Sequence, residues 1–423
     1  MEVYKFGGAS VKDADAVRNV ASILKSEVKE PTCVVVSAMG KTTNALEAVL
    51  DAFYHGKENR DELLKGVLAT HLQILAGLFA SPAHPVYGKL KALFLRLANE
   101  LGRIQSMPYD KAYDQVVSFG ERFSTCIISE YLAEVGIGNV ELDASRIVLT
   151  DGHFREGKVL WEPTTQRIKE AVEAVWAQGL GIVLTQGFIA CDEAGDTVTL
   201  GREGSDYSAA IFAYCLDAAK MTIWKDVPGV LNADPKYFSN TKKLDYVSYY
   251  DATELAYFGA SIIHPKTIKP LQNKKIPLHV RSFMDVSAPG TWVGLEGVPE
   301  SRIPSFICKR PQTLLSIYPK DFSFVDETNL SEIFHCFVKH GIKVNLMQNS
   351  ALSFSVCIDQ NRGNLDAVLA ELSSRYDCRY NRDLELLTIR HYTQDVIDQI
   401  VGGKKVMLEQ RTRHTVQFVL GGE

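Results

Sequence analysis

No apolar run in this chain is long enough to span a bilayer, and no two of its cysteines stand at the Cys-x-x-Cys spacing of a zinc or redox site. The eight cysteines are scattered at 33, 126, 191, 215, 308, 336, 357 and 378. Scattered thiols without a signal-peptide pattern lead us to expect a reducing, cytoplasmic setting. Positive charge is not in excess either, with 46 Lys and Arg against 51 Asp and Glu and a formal net charge of −5. A sequence-independent grip on nucleic acid needs a basic face, and the mild net acidity argues against it. There is no low-complexity segment and no block of like charge. What remains is an ordinary globular composition, 46% hydrophobic and 23% charged, in 423 residues. That length predicts two or three domains.

Over the first three hundred residues short apolar runs alternate with helical patterns. Val3–Phe6, Cys33–Val36, Ile182–Leu184 and Met221–Trp224 read as buried strands. Val17, Val20, Ala21, Leu24 and Val28 recur at helical spacing behind Asp13, a candidate N-cap. Such alternation predicts an α/β fold, a largely parallel sheet covered by helices on both faces. The polar candidates cluster where strands end: Lys5 and Gly7, Ser37, Gln186 and Gly187, Lys225 and Asp226. Ligands of open α/β sheets bind beyond the carboxyl ends of the strands. From Ser287 to Pro311 prolines and glycines accumulate and the chain reads as loop, which marks a domain boundary. After it the pattern runs Thr313–Ile317 (strand), Leu330–Lys339 (helix), Lys343–Met347 and Ala351–Ile358 (strands), Leu365–Leu372 (helix) and Leu384–Ile389 (strand). This βαββαβ order is ferredoxin-like. Beyond it we expect only one brief helix, Val396–Val401, and one strand, Val416–Leu420.

Two glycine-rich turns carry most of the chemistry. Lys5-Phe6-Gly7-Gly8-Ala9-Ser10 follows the first strand, and Gly201-Arg202-Glu203-Gly204-Ser205-Asp206 lies some two hundred residues later. Glycine lets backbone N–H groups approach phosphate oxygens while a side-chain cation neutralises them. Two such turns suggest a site for a polyphosphate and a second anionic reactant. Met39-Gly40-Lys41-Thr42-Thr43 only superficially resembles a Walker A loop, because Val35 stands where the pattern needs glycine. Glu121, three residues after Ser118, is read first as half of a capping box and second as an acid able to bind an ammonium group. Arg202 has the planar fork that suits a carboxylate. Asp206 is either a helix-start acid or a partner for Lys5 or for a metal-bound water. Trp224-Lys225-Asp226-Val227-Pro228-Gly229 and Asn232-Ala233-Asp234-Pro235-Lys236 are turns that would also serve as a nucleotide cradle.

Taken together these segments resemble the aspartokinases of the amino-acid kinase superfamily. The matching stretches are KFGGAS (5–10), VVVSAMGKTTN (34–44), SFGERFST (118–125), TQGFIA (185–190), LGREGSDYSAA (200–210), WKDVPGVLNADPK (224–236) and FGASIIHPKT (258–267). The resemblance implies ATP-dependent phosphorylation of the L-aspartate β-carboxylate, with Mg²⁺ carried by the ATP phosphates and water. Another amino-acid or acyl-phosphate-forming kinase of the same fold, or a catalytically silent amino-acid sensor, are the alternatives. It makes Lys5 and Asp206 the catalytic pair. Ser37, Thr43, Glu121, Phe188, Arg202 and Ser205 would line the aspartate pocket. Lys5, Gly7, Gly8, Ser10, Lys225, Asp226 and Lys236 would hold the nucleotide. Ala9, Lys236 and Ser261 depart from the threonine, arginine and lysine found in many relatives. The implied domains are a catalytic unit (1–300), a connection with a contributed strand (301–312), an ACT domain (313–383) and a short, incomplete second ACT unit (384–423). ACT units pair, so a homodimer is expected, with neither nucleic-acid nor membrane partners. Lysine-sensing relatives carry acids near positions that correspond here to Asn345 and Ala351. With Asn345, Asn349 and Ser350 as the effector candidates, lysine inhibition is expected to be weak or absent.

Overall fold

The computed structural model describes residues 1–260, 263–294 and 303–421. Ser261 and the first two residues of the expected 301–312 connection lie outside them. The chain divides into two units, Met1–Val230 with Lys243–Thr253 and Ile262–Val298, and Leu231–Lys242 with Glu254–Ser261 and Pro299–Glu423.

The strands of the first unit are β1 (Glu2–Phe6), β2 (Thr32–Val36), β3 (Asn139–Leu142), β4 (Ile182–Gln186), β5 (Ile189–Cys191), β6 (Thr197–Thr199), β7 (Lys220–Lys225), β8 (Tyr246–Ser248), β9 (Leu278–Ser282) and β10 (Thr291–Gly294). Its helices include α1 (Ala14–Glu27), α2 (Thr42–Tyr54), α3 (Arg60–Leu78), α4 (Pro85–Leu101), α5 (Tyr109–Val117), α6 (Phe119–Glu134), α7 (Trp161–Trp176), α8 (Gly204–Cys215) and α9 (Pro265–Lys274). Eight strands form one sheet in the order β3-β4-β2-β1-β7-β9-β10-β8, and β5 with β6 makes a separate hairpin. β4, β2, β1, β7 and β9 run parallel. β2 is buried at every position, as a parallel strand covered on both faces must be. Tyr4, Phe6, Val34, Val36, Leu184 and Trp224 join one core with apolar residues of α1 to α6. On the other face α8 packs on β1, β2 and β7. Asp13 caps α1 as its spacing predicts, its carboxylate accepting from Ala16 N at 2.8 Å. Between β2 and β7 lies β1, the first strand in sequence, so the chain switches sides there. The crevice outside such a switch is where open α/β sheets bind ligands. No helix among the described residues is long and apolar enough to cross a membrane.

In the second unit β11 (Ser305–Pro319), β12 (Val344–Ser350), β13 (Ser353–Asp359), β14 (Tyr376–Arg390), β15 (Val406–Arg411) and β16 (Thr415–Leu420) accompany α10 (Glu327–Lys339), α11 (Leu365–Leu372) and α12 (Gln394–Val401). The sheet is antiparallel, in the order β12-β13-β11-β14-β16-β15. Two strands of 15 residues, β11 and β14, run through both halves of it. The half nearest β12 has the βαββαβ order and its own core around Leu315, Ile333, Phe337, Phe354 and Val356. The other half combines the ends of β11 and β14 with α12, β15 and β16, around Leu387, Ile389, Ile397 and Phe418.

Two expectations need correction. The stretch 287–311, read as loop apart from the contributed strand, contains β10 and residues 305–311 of β11. Pro311 offers no N–H, and the ladder with β14 shifts register between Lys309 and Gln312. The tail holds two strands rather than one. β15 is an edge strand whose sole fully buried residue is Leu408, so it shows neither an apolar run nor clean alternation.

Candidate functional site

Lys5 is the fourth residue of β1. Successive strand residues face opposite sides, and Tyr4 and Phe6 belong to the core with α1 to α6. Lys5 therefore points to the α8 face. Lys225 shares that face, because Lys5 is in register with Ile223 on the neighbouring parallel strand. The first turn of α8 supplies Asp206. Lys5 Nζ lies 2.7 Å from Asp206 Oδ1, and Lys225 Nζ lies 3.7 Å from Asp206 Oδ2. Lys5 and Asp206 are both buried. Burial alone would raise the carboxyl of Asp206, but the two ammonium groups more than offset it and hold its pKa below the usual value. Two lysines thus converge on one acid at the ends of β1 and β7.

Around this cluster run the glycine turns. Gly40 N donates to Gly8 O at 3.0 Å, and a Cβ on Gly8 would stand 2.9 Å from Ala38 O, so only glycine permits the two loops to touch. The Ser10 hydroxyl donates to Trp224 O at 3.2 Å, fastening the first turn to β7. The second turn enters α8 through Gly201 and Glu203, both left-handed, with φ of 75° and 54°. A Cβ on Gly204 would lie 2.6 Å from the Phe188 ring, and Phe188 is itself left-handed at φ 68°. Its N–H donates to Ser208 Oγ at 2.9 Å. The first turns of α2, with Thr43, and of α8, with Ser205, open on the same cleft, and helix N-termini favour anions.

Glu121 overturns the capping-box reading. Ser118 makes no side-chain cap, and its hydroxyl instead donates to Gln115 O at 3.2 Å. Because α5 runs into α6 with Ser118 still in helical conformation, there is no extended N-cap geometry to use. Glu121 Oε1 accepts from Ala38 N at 3.2 Å, across the cleft floor. Its Oε2 is buried with no hydrogen-bond partner among the described residues. Burial pushes the carboxyl up to about 8, the Ala38 N–H offsetting only part of the rise. A carboxylate so placed is poised for a cation.

A cleft of about 940 Å³ is lined by Lys5, Gly7, Gly8, Ser10, Ser37, Thr43, Glu121, Phe188, Arg202, Ser205, Asp206, Lys225 and Asp226. These are the substrate and nucleotide candidates read from sequence, with one exception. Lys236 belongs to the second unit, on a turn where its N–H donates to Asp234 Oδ1 at 2.9 Å. The sequence reading also passed over several lining residues. Arg155 is left-handed at φ 67°, its guanidinium 3.0 Å from Asp110 Oδ1 and 4.5 Å above the Tyr113 ring centre. Its loop is anchored by Asp114, buried in α5, which accepts from Arg155 N and Thr199 N at 2.9 Å and from the Thr199 hydroxyl at 2.7 Å. The signal in sequence was the short segment His153-Phe154-Arg155-Glu156 between Gly152 and Gly157.

Among the effector candidates, Asn345 is engaged within its own sheet. It donates to Gln312 Oε1 at 2.9 Å and Asp359 Oδ1 at 2.8 Å, and accepts from Lys309 Nζ at 2.9 Å. Asn349 and Ser350 are exposed at the end of β12.

The amino acid kinase family matches residues 1–282. Lysine-sensitive aspartokinase 3 of Escherichia coli (strain K12) is 32% identical over 360 residues, which is 84% of this chain and 78% of that protein. The crystal structure of E. coli aspartokinase III in complex with lysine and aspartate superposes with a TM-score of 0.84 at 27% identity, covering 100% of this chain and 96% of that one. The same enzyme in complex with aspartate and ADP gives a TM-score of 0.82 at 28% identity, with the same coverage.

Proposed function

The chain belongs to the aspartokinases of the amino acid kinase family, and on that premise we propose how its cleft transfers the γ-phosphoryl group of ATP to the β-carboxylate of L-aspartate. The products are 4-phospho-L-aspartate and ADP. The attacking group is a carboxylate with a reference pKa of about 3.9, already ionised at neutral pH. No general base is required. The obstacle is repulsion between two anions, so the protein's work is orientation and neutralisation.

The buried Lys5–Asp206 pair, with the half-buried Lys225 beside it at the ends of β1 and β7, is the observation that carries this reading. Asp206 holds both ammonium groups in place. Lys5 then faces the phosphoryl oxygens as charge develops, and Lys225 with Asp226 borders the nucleotide. Arg202 takes the α-carboxylate and Glu121 the α-ammonium, leaving only the β-carboxylate directed at phosphorus. Ser37, Thr43 and Ser205 supply hydroxyls to the same substrate, and Phe188 closes the pocket wall. Gly7 and Gly8 keep the backbone close to the phosphates. Ser10 acts by holding that turn. Lys236, on the second unit, is the least supported of the nucleotide candidates.

The substrate form of ATP is its Mg²⁺ complex. Asp206 already has an ammonium on each oxygen, which fits a cation held by phosphates and water better than one bound directly by this acid. When bound, the ion neutralises phosphate charge. The second unit has the strand order of paired ACT domains, and we assign it to homodimer formation and effector binding in the cytoplasm. With Asn345 occupied by Lys309, Gln312 and Asp359, lysine finds little to bind there.

The test is a hydroxamate assay run beside ADP release on a panel of acidic amino acids. The reading requires equimolar hydroxamate and ADP with aspartate. ADP without hydroxamate, or a preference for another carboxylate, refutes it.

A further inference from the structure

Away from the cleft, the second unit holds a group of side chains that phosphoryl transfer does not use. Cys336 and His340 stand one turn apart on α10, and His340 closes the helix with its N–H donating to Cys336 O at 3.1 Å. They therefore share a face. α11 lies against α10 and brings Glu371 to that face. One ligand atom each from Cys336, His340 and Glu371 lie within 4.8 Å of one another. His340 Nε2 already contacts Glu371 Oε2 at 2.8 Å, and Lys339 Nζ reaches the same oxygen at 2.9 Å. Neither bond uses Glu371 Oε1. Cys336 is buried, His340 half-buried and Glu371 exposed, so the set descends from the surface to the core.

We propose that Cys336, His340 and Glu371 form a zinc site that clamps α10 to α11 in the second unit. The donors are one thiolate, one imidazole and one carboxylate, the mixture that a borderline-soft ion such as Zn²⁺ prefers over Mg²⁺ or Ca²⁺. Three protein ligands leave a fourth position open. Cys336 and Glu371 also line a cavity of about 410 Å³ with His335, Glu332, Arg375 and Tyr376. A water or a small anion reaching the ion from that cavity completes a tetrahedron. Binding replaces the thiol S–H bond by S–Zn and releases that proton, and the His340–Glu371 hydrogen bond gives way to two bonds to the metal, the proton of neutral His340 passing through solvent from Nε2 to Nδ1. The device would make the order of the ACT-like half depend on metal, independently of the catalytic cleft.

The experiment titrates the full chain, freed of metal by chelation, with Co²⁺ as a spectroscopic stand-in and then with Zn²⁺. The proposal expects one equivalent of Co²⁺ to give tetrahedral visible bands and a near-ultraviolet thiolate band, both removed by Zn²⁺. Cys336→Ser abolishes the thiolate band, and His340→Gln or Glu371→Gln weakens binding by about tenfold or more. Kinase activity, which does not involve these residues, reports that each variant is folded. If Cys336→Ser fails to fold, the two surface variants decide. No thiolate band, a band unchanged in folded Cys336→Ser, or binding indifferent to both His340→Gln and Glu371→Gln overturns the site.

Discussion

Changing Glu121 to Gln removes a charge and keeps the shape, which makes it the sharpest probe of the aspartate pocket. In the wild type, burial holds this carboxyl at about 8 when the pocket is empty. Only its ionised form pairs with an ammonium. With a pKa of about 8, roughly 1% of the group is ionised at pH 6, about 10% at pH 7 and about half at pH 8. The account therefore predicts that kcat/KM for aspartate rises on the order of fiftyfold between pH 6 and 8 while kcat changes far less. In Glu121→Gln this limb flattens. At pH 8 the variant loses a charge-assisted contact of about 1.5–3 kcal/mol, or roughly ten- to hundredfold in KM. Initial rates of ADP release at fixed saturating ATP measure both. The same group carries a stability signature. Its folded pKa lies above the unfolded 4.5, so its contribution is intact below about pH 4.5 and is lost as pH climbs through about 8. The melting temperature of Glu121→Gln should thus gain on that of the wild type from pH 5 to 8. A wild-type kcat/KM flat over pH 6–8, or a variant with the same slope, refutes the pairing.

Arg202→Ala should raise KM for aspartate with little change in KM for ATP, in a two-substrate steady-state analysis; an unaltered aspartate KM removes Arg202 from the pocket. Gly204→Ala places a Cβ 2.6 Å from the Phe188 ring. Overpacking of about 1–3 kcal/mol should weaken aspartate binding while leaving the fold intact by circular dichroism. Lysine at sub-millimolar concentration should leave the rate unchanged, because Asn345 is committed to its own sheet; full inhibition in the same hydroxamate assay contradicts that.

The central sheet was legible because its strands are buried on both faces. Cys33–Val36 is an apolar run and Val3–Phe6 is one interrupted only by Lys5, and both fall inside observed strands. The cleft was legible for a different reason. Lys5, Ser37, Lys225 and Asp226 sit at strand ends and Arg202 in a glycine turn, whose backbone demands leave a mark in sequence, whereas Glu121 lies on a helix and Phe188 was reached only through the resemblance. Arg155 carries only the flanking Gly152 and Gly157 as a mark, because its position depends on the tertiary anchor Asp114. Glu121 shows how a local pattern misleads. Ser118 and Glu121 have the spacing of a capping box, but that box needs a helix start, and α5 leads directly into α6. β15 was invisible because an exposed edge strand has no core to write its alternation.

Everything rests on fixed positive charge at the end of β1 promoting carboxylate attack on a triphosphate. The most direct measurement is kcat for Lys5→Met at saturating aspartate and MgATP, with ADP and aspartyl hydroxamate quantified together. The account predicts a fall on the order of 10²–10³ in kcat for both products, with KM for aspartate little altered. An unchanged kcat would contradict it.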